Sequence, residues 1–169
     1  MKTLKTLKIL SVLSLSLLLC GCPDDSIENE KIDPEATSIT FSIVKDDDFT
    51  GTATITGTIT NIGDASFSSS SGQQALRLYQ RNLGAPAPGE LVGTVGFRIL
   101  SPGETITISY SRPWNSSSPA EGEFPPDYSI VIDYDPDIFI DGNDANNDED
   151  LTNNSLTVSG SEINDLFDN

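Results

Sequence analysis

Apolar residues recur at every second position through most of this chain, a period that selects strands over amphipathic helices. Ile39, Phe41 and Ile43 alternate with Ser38, Thr40 and Ser42, while Ala53, Ile55, Gly57 and Ile59 alternate with Thr52, Thr54, Thr56, Thr58 and Thr60. Such alternation sets one row against a core and the other in water, and β-branched side chains suit that half-buried surface. Further strands are expected over residues 75–81, with Leu76 and Leu78 inward, and over 91–100, where Gly93 and Gly96 point to a bend or bulge. Ser101-Pro102-Gly103-Glu104 has the Pro of a turn at its second position and leads into a strand over 105–110; others follow at 128–134 and 156–158. Asn61-Ile62-Gly63-Asp64 supplies another turn, and residues 66–72 form a serine-rich loop. Seven or eight short strands with no helix to cover a parallel sheet predict an all-β, antiparallel β-sandwich. In 169 residues there is room for one such domain.

Within that frame, residues 56–63, Thr-Gly-Thr-Ile-Thr-Asn-Ile-Gly, resemble the V-x-N-x-G second strand and turn of CARDB domains, the cell-adhesion-related domains of bacteria. Residues 100–105 are similar to that family's L-x-x-G-E turn, residues 128–137 to its Y-x-I-x-V-x-V-D-P-D strand, and Asn153-Asn154 to the N-N before its last strand. The four pieces stand in the family's order across residues 37–160. Departures are a Pro-rich insertion around residues 85–88, another over 113–126, and an extended acidic loop before Asn153. The resemblance implies an immunoglobulin-like module for display, spacing or adhesion, with no active site of its own.

The N-terminus carries a different message. Lys2, Lys5 and Lys8 precede an apolar run over residues 9–19, the layout of a secretory signal, and the run is shorter than the roughly 20 residues needed to span a bilayer. Leu19-Cys20-Gly21-Cys22 resembles the lipobox of bacterial lipoproteins, which implies cleavage before Cys22 and lipid attachment to its sulfur. Several acyl chains give lasting membrane attachment where one gives marginal binding. Residues 1–21 are therefore expected to be a lipoprotein signal, 22–36 an acidic disordered tether, 37–160 the sandwich and 161–169 a tail. An acidic cluster just behind the lipidated cysteine also resembles a sorting signal that sends some lipoproteins to the outer membrane, in places to its outer face. The implied location is the cell envelope, and the implied partners are the membrane, through the anchor, and an envelope protein or glycan.

Charge and composition narrow the chemistry. Loss of Lys2, Lys5 and Lys8 with the leader leaves six basic against 26 acidic side chains, a net of −20 that repels nucleic acid. With no histidine in the chain, His-based hydrolases and His-ligated zinc sites are excluded. Cys20 and Cys22 are the only cysteines and both lie at the leader's end, so the domain folds without a disulfide. No catalytic residues and no resident cofactor are expected, with Ca²⁺ the one candidate ion.

Two constellations suggest binding. Asp144, Asn146, Asp148 and Asp150 match the first four ligand spacings of an EF-hand calcium loop, although Glu149 replaces its glycine, Ser155 its bidentate glutamate, and no helices flank it. Trp114, with Tyr79 and Tyr110, supplies aromatic faces that could stack on sugar rings, or alternatively lids for the core. Tyr128 is placed for a tyrosine corner. Ile163, Leu166 and Phe167 have the spacing of a short amphipathic turn capping the sandwich.

Overall fold

A computed structural model describes residues 30–117 and 124–168; the leader, Cys22 and part of the second Pro-rich insertion lie outside the described residues. Among the described residues nine strands form: β1 (Pro34–Lys45), β2 (Thr50–Asn61), β3 (Phe67–Ser68), β4 (Gln74–Arg81), β5 (Glu90–Gly96), β6 (Ile99–Leu100), β7 (Thr105–Asn115), β8 (Asp127–Tyr134) and β9 (Ser155–Ser159). Seven are of ordinary length, and the two-residue β3 and β6 pair only with each other. One sheet has the order β1-β2-β7 and the other β5-β4-β8-β9, with every ladder antiparallel. The result is the all-β, antiparallel sandwich that the alternation predicts, of the immunoglobulin-like kind that the resemblance implies.

The inner rows are those read from the sequence. Ala53, Ile55 and Ile59 from β2, Leu76 and Leu78 from β4, and Ile130 and Ile132 from β8 are buried together with Phe67, Leu100 and Ile108. The outer rows of β1, β2 and β7 bring hydroxyls opposite one another: Thr54 meets Ser111 at 2.8 Å and Thr56 meets Ser109 at 3.0 Å. Cross-strand hydroxyl pairs are a common way to finish a solvated sheet face. The bend expected at Gly93 is a bulge, because Leu78 pairs with Gly93 while Tyr79 pairs with Leu91. The turn before β7 closes through Glu104 N to Ser101 O (2.9 Å), with Gly103 at φ +73, a conformation that favours glycine.

Register defines two ends of the sandwich. At one, β1 starts, β2 ends at Asn61 opposite Pro34, β7 starts at Thr105, and β4 starts at Gln74 opposite Tyr134. At the other, the turn over residues 46–49 lies beside the end of β7, and Arg81, Asp127 and Ser159 align across β4, β8 and β9. The chain enters at the first end.

The entry corrects the expected tether. Rather than running disordered to residue 36, the chain has Ile32, Asp33 and Ala36 buried and β1 beginning at Pro34. Ile32 and Ala36 are small apolar contributions in a charged stretch, and their burial depends on partners far along the chain. Residues 31–36 therefore belong to the domain.

The sheets pack closely at Gly57, where an added Cβ would collide with Ile130 Cγ2 and come within 3.3 Å of Ile108 Cγ2. Gly57→Ala should lower stability by about 1–3 kcal/mol through overpacking. Urea unfolding of the single variants and of Gly57→Ala combined with Ile130→Ala should reveal a favourable coupling of about 0.5 kcal/mol or more. Strict additivity would show that the contact is not tight.

Candidate functional site

The entry end is held by a polar network around a fully buried amide. Asn61 Oδ1 accepts from Asp33 N (3.3 Å) and Gly63 N (3.0 Å), while Nδ2 donates to Ala65 O (2.7 Å) and Leu100 O (2.8 Å). One side chain thus ties β1's approach, the turn after β2, and β6. Gly63 is glycine because a Cβ there would collide with the Lys31 carbonyl. Asp33, also fully buried, accepts from Asn153 Nδ2 at 2.7 Å and forms an ion pair with Lys31. Glu149 N donates to Ile32 O at 3.0 Å, so the acidic loop grips the same segment from its other side.

Within the acidic loop the four expected calcium ligands turn to different partners. Asp144 is exposed and accepts from Asn147 Nδ2 (3.3 Å); buried Asn146 donates through Nδ2 to Asp141 (2.9 Å). Buried Asp148 accepts from Tyr134 OH (3.0 Å), Asn154 Nδ2 (2.7 Å) and Asp150 N (3.1 Å). Asp150 accepts from Thr152 N and Oγ1, capping a short 3-10 turn at Leu151–Asn153. The EF-hand spacing does not carry over, since successive short 3-10 turns face these side chains in different directions. Among the described residues, no three His, Cys, Asp or Glu side chains are grouped to hold a metal ion.

Burial pushes the Asp148 carboxyl above its ordinary value, partly offset by its hydrogen bonds, and the charge of Asp33 adds to the rise. Burial likewise pushes the Tyr134 phenol up, helped by the neighbouring Asp148 charge. In contrast, hydrogen bonds hold three carboxyls down: Asp47 through the Phe49 amide, Asp141 through the Asn143 amide, and Asp150 through Thr152.

The aromatic trio does not share a surface. Trp114 is only 4% exposed, donates from Nε1 to Asn164 Oδ1 at 2.8 Å and lies under the Arg112 guanidinium, so it closes the core against the C-terminal turn, α1 (Glu162–Asp165). Tyr79 falls on the outer row of β4, between inward Leu78 and Gln80, whereas Tyr110 falls on the inner row of β7. Tyr128 is buried with its hydroxyl toward Gln80 of β4 (3.4 Å), a bond across strands. Ile163 is buried beneath the last turn.

Tyr110 does line a groove of about 610 Å³ at the end away from chain entry, with Gln80, Asn82, Leu83, Arg112 and Phe124. Arg112 Nη1 donates to Gln80 Oε1 at 3.2 Å. A smaller hollow of about 260 Å³ adjoins it through Asn82 and Leu83. Apart from Tyr110, sequence reasoning passed over these residues. The available signal was the pair of Pro-rich insertions, which flank the groove.

The chain matches no protein-family model and no curated protein. Among solved structures, it is similar to a stretch of β-glucosidase 3B from Thermotoga neapolitana in complex with α-D-glucose, at 17% identity and TM-score 0.35, over 76% of this chain and 16% of that one. A β-glucosidase from Erythrobacter marinus gives 14% identity and TM-score 0.35 over 76% and 15%, and one from Kluyveromyces marxianus 13% and 0.32 over 78% and 14%. This chain thus spans about a sixth of their length, and likeness at that level says nothing of activity. No helix among the described residues is long and apolar enough to cross a membrane.

The pKa directions predict an acid limb. Asp47, Asp141 and Asp150 are lowered, so their stabilising contribution is complete above the ordinary carboxylate value of 3.8 and is lost as pH falls below it. Asp148 is raised, so its contribution runs the other way and diminishes as pH rises through its folded value. The urea midpoint should drop below about pH 4, and the drop should flatten when all three capping residues are changed to Asn. An unchanged acid limb in that variant would assign it to other carboxylates.

Proposed function

We propose that this protein is a lipid-anchored, non-catalytic module of the bacterial cell envelope, built on a CARDB-like domain and used for adhesion or protein contact. The observation that supports this most is the geometry of chain entry. Residues 31–33 are bound at one end of the sandwich, and only residues 23–30 separate them from Cys22, a reach of roughly 30 Å when fully extended. A lipid on Cys22 keeps that end near the bilayer and turns the opposite loops, over residues 46–49, 82–89 and 112–117, outward. Loops at one end of an immunoglobulin-like sandwich are a common place for recognition. In an envelope location the net charge of −20 keeps the module soluble and disfavours nucleic acid as a partner.

Cys22→Ala should move the protein from the membrane pellet to the soluble fraction or leave it unprocessed, and mass spectrometry of the native N-terminal peptide should find acylated Cys22. A Cys22→Ala protein that remained mature in size and membrane-bound would remove the anchor from this reading. Protease shaving of intact cells then separates a surface-facing from a periplasm-facing domain.

The groove supports a second reading, a glycan-binding accessory lipoprotein. Its lining combines the rings of Tyr110 and Phe124 with the amides of Gln80 and Asn82 and the Arg112 guanidinium, groups suited to sugar faces and hydroxyls. Among the described residues that line it there is no carboxylate. Trp114 is the only tryptophan and touches Arg112, which makes it a reporter. Titration with xylo-, laminari-, chito- and alginate oligosaccharides should change its emission for at least one class. Asn82→Ala should weaken that binding about tenfold, a loss near 1.4 kcal/mol. No response at millimolar sugar, or a response indifferent to Asn82 and Tyr110, eliminates this reading.

A further inference from the structure

Three large apolar side chains stand in water on the flank of the sandwich beside chain entry. Phe139 is 47% exposed, Ile140 81% and Leu151 52%, although they belong to capped turns rather than loose chain. Asp135 accepts from Asp137 N at 3.1 Å and Ile140 N donates to Asp137 O at 3.1 Å, which fixes the turn over residues 136–139. Asp150 accepts from Thr152 N at 3.0 Å and fixes the turn over residues 151–153. Phe139 packs edge-on against Tyr134, with ring centroids 6.1 Å apart. Together with Val131 of β8, Tyr134, Phe139 and Leu151 line an open hollow of about 310 Å³. An exposed apolar patch held on fixed turns suits an interaction surface, because covering it removes apolar area from water with little ordering left to do.

Carboxylates adjoin each of these side chains. Asp137 and Asp141 flank Phe139-Ile140, and Glu149 and Asp150 precede Leu151. Residues 113–169 contain no Lys or Arg, and the cations brought near from elsewhere are engaged, Arg77 with Asp133 at 2.7 Å and Lys31 with Asp33. We propose that Phe139, Ile140 and Leu151 dock a protein segment that presents apolar anchors between lysine or arginine side chains. The hollow takes an apolar side chain, while the carboxylates meet the flanking cations and so steer and orient the partner. A second copy of this chain fits poorly, since it would set one group of carboxylates against another, and an anionic bilayer meets the same repulsion. The inference deepens the protein-contact reading and rests on it. It places the contact beside chain entry, apart from the loops of the far end.

The test uses the full chain in a polyoxyethylene detergent, with fluorescein-labelled, amidated hexapeptides read by fluorescence anisotropy. Lys-Lys-Leu-Phe-Lys-Lys should bind about tenfold more tightly than Glu-Glu-Leu-Phe-Glu-Glu, which keeps the apolar pair, and than Lys-Lys-Gly-Ser-Lys-Lys, which keeps the charge. Ile140→Ser and Leu151→Ser, both at exposed positions, should each weaken that binding several-fold at an unchanged melting temperature. Asp137→Lys should weaken it too and improve binding of the glutamate peptide, whereas Leu83→Ser, at the far end, should leave it as it is. Equal binding of all the peptides, or binding indifferent to Ile140 and Leu151, overturns the proposal. A dimer in sedimentation equilibrium that Ile140→Ser dissociates gives the patch to a second copy and overturns it as well. Binding kept in Ile140→Ser but lost in Leu83→Ser moves the contact to the far end, so that the protein-contact reading survives and this surface does not. None of these readouts depends on lipidation, so failure of the anchor leaves them standing.

Discussion

The buried side chain of Asn61 is the interaction on which the arrangement of the whole entry end depends. Its two donors and two acceptor bonds join segments 28 and 39 residues away in sequence, and they do so inside the protein, where water cannot substitute. An isosteric change to Asp or Leu would strand partners that include the buried Asp33 amide and the Leu100 carbonyl. Leaving such groups unpaired costs about 1–3 kcal/mol each, so the site tolerates little besides asparagine. Because Asn61 fixes Asp33, it also fixes where β1 begins and from which end the chain leaves toward Cys22.

That dependence explains why the period of two reaches only so far as evidence. Alternation identifies which residues face inward, since burial of Ile55, Leu78 or Ile130 follows from their parity along a strand. It carries no information on residues outside a repeating pattern. Residues 31–36 were expected in a tether because charge dominates their composition, yet Asp33 is among the most buried residues, held by Asn61 and by Asn153, 120 residues on. Such long-range pairing leaves no local trace. The Asn61 and Asn153-Asn154 pieces of the CARDB resemblance nevertheless fall on this network, which gives those short motifs a physical role.

The candidate residues are placed where they are for related reasons. An EF-hand spacing presumes a loop wound around one centre, and here residues 136–153 break into three short 3-10 turns whose caps are Asp135, Asn143 and Asp150. Side chains that cap turns are occupied by backbone amides and face where those amides lie. Trp114 was similarly indistinguishable from an exposed platform in sequence, because its burial depends on Asn164 and the final turn. Tyr110 shares the inward parity of Arg112 and Trp114, yet it lines the groove rather than closing the core.

The two ends of the sandwich therefore differ in chemistry as well as position. Entry is marked by carboxylates, amides and the β2–β3 turn, all engaged with one another. The far end has exposed apolar side chains, among them Phe49, Leu83 and Phe124, beside the guanidinium and amides of the groove. Of the six basic residues after residue 8, Lys45, Arg81 and Arg112 lie toward that far end, alongside the carboxylates of Asp46, Asp47, Asp48, Glu90 and Asp127.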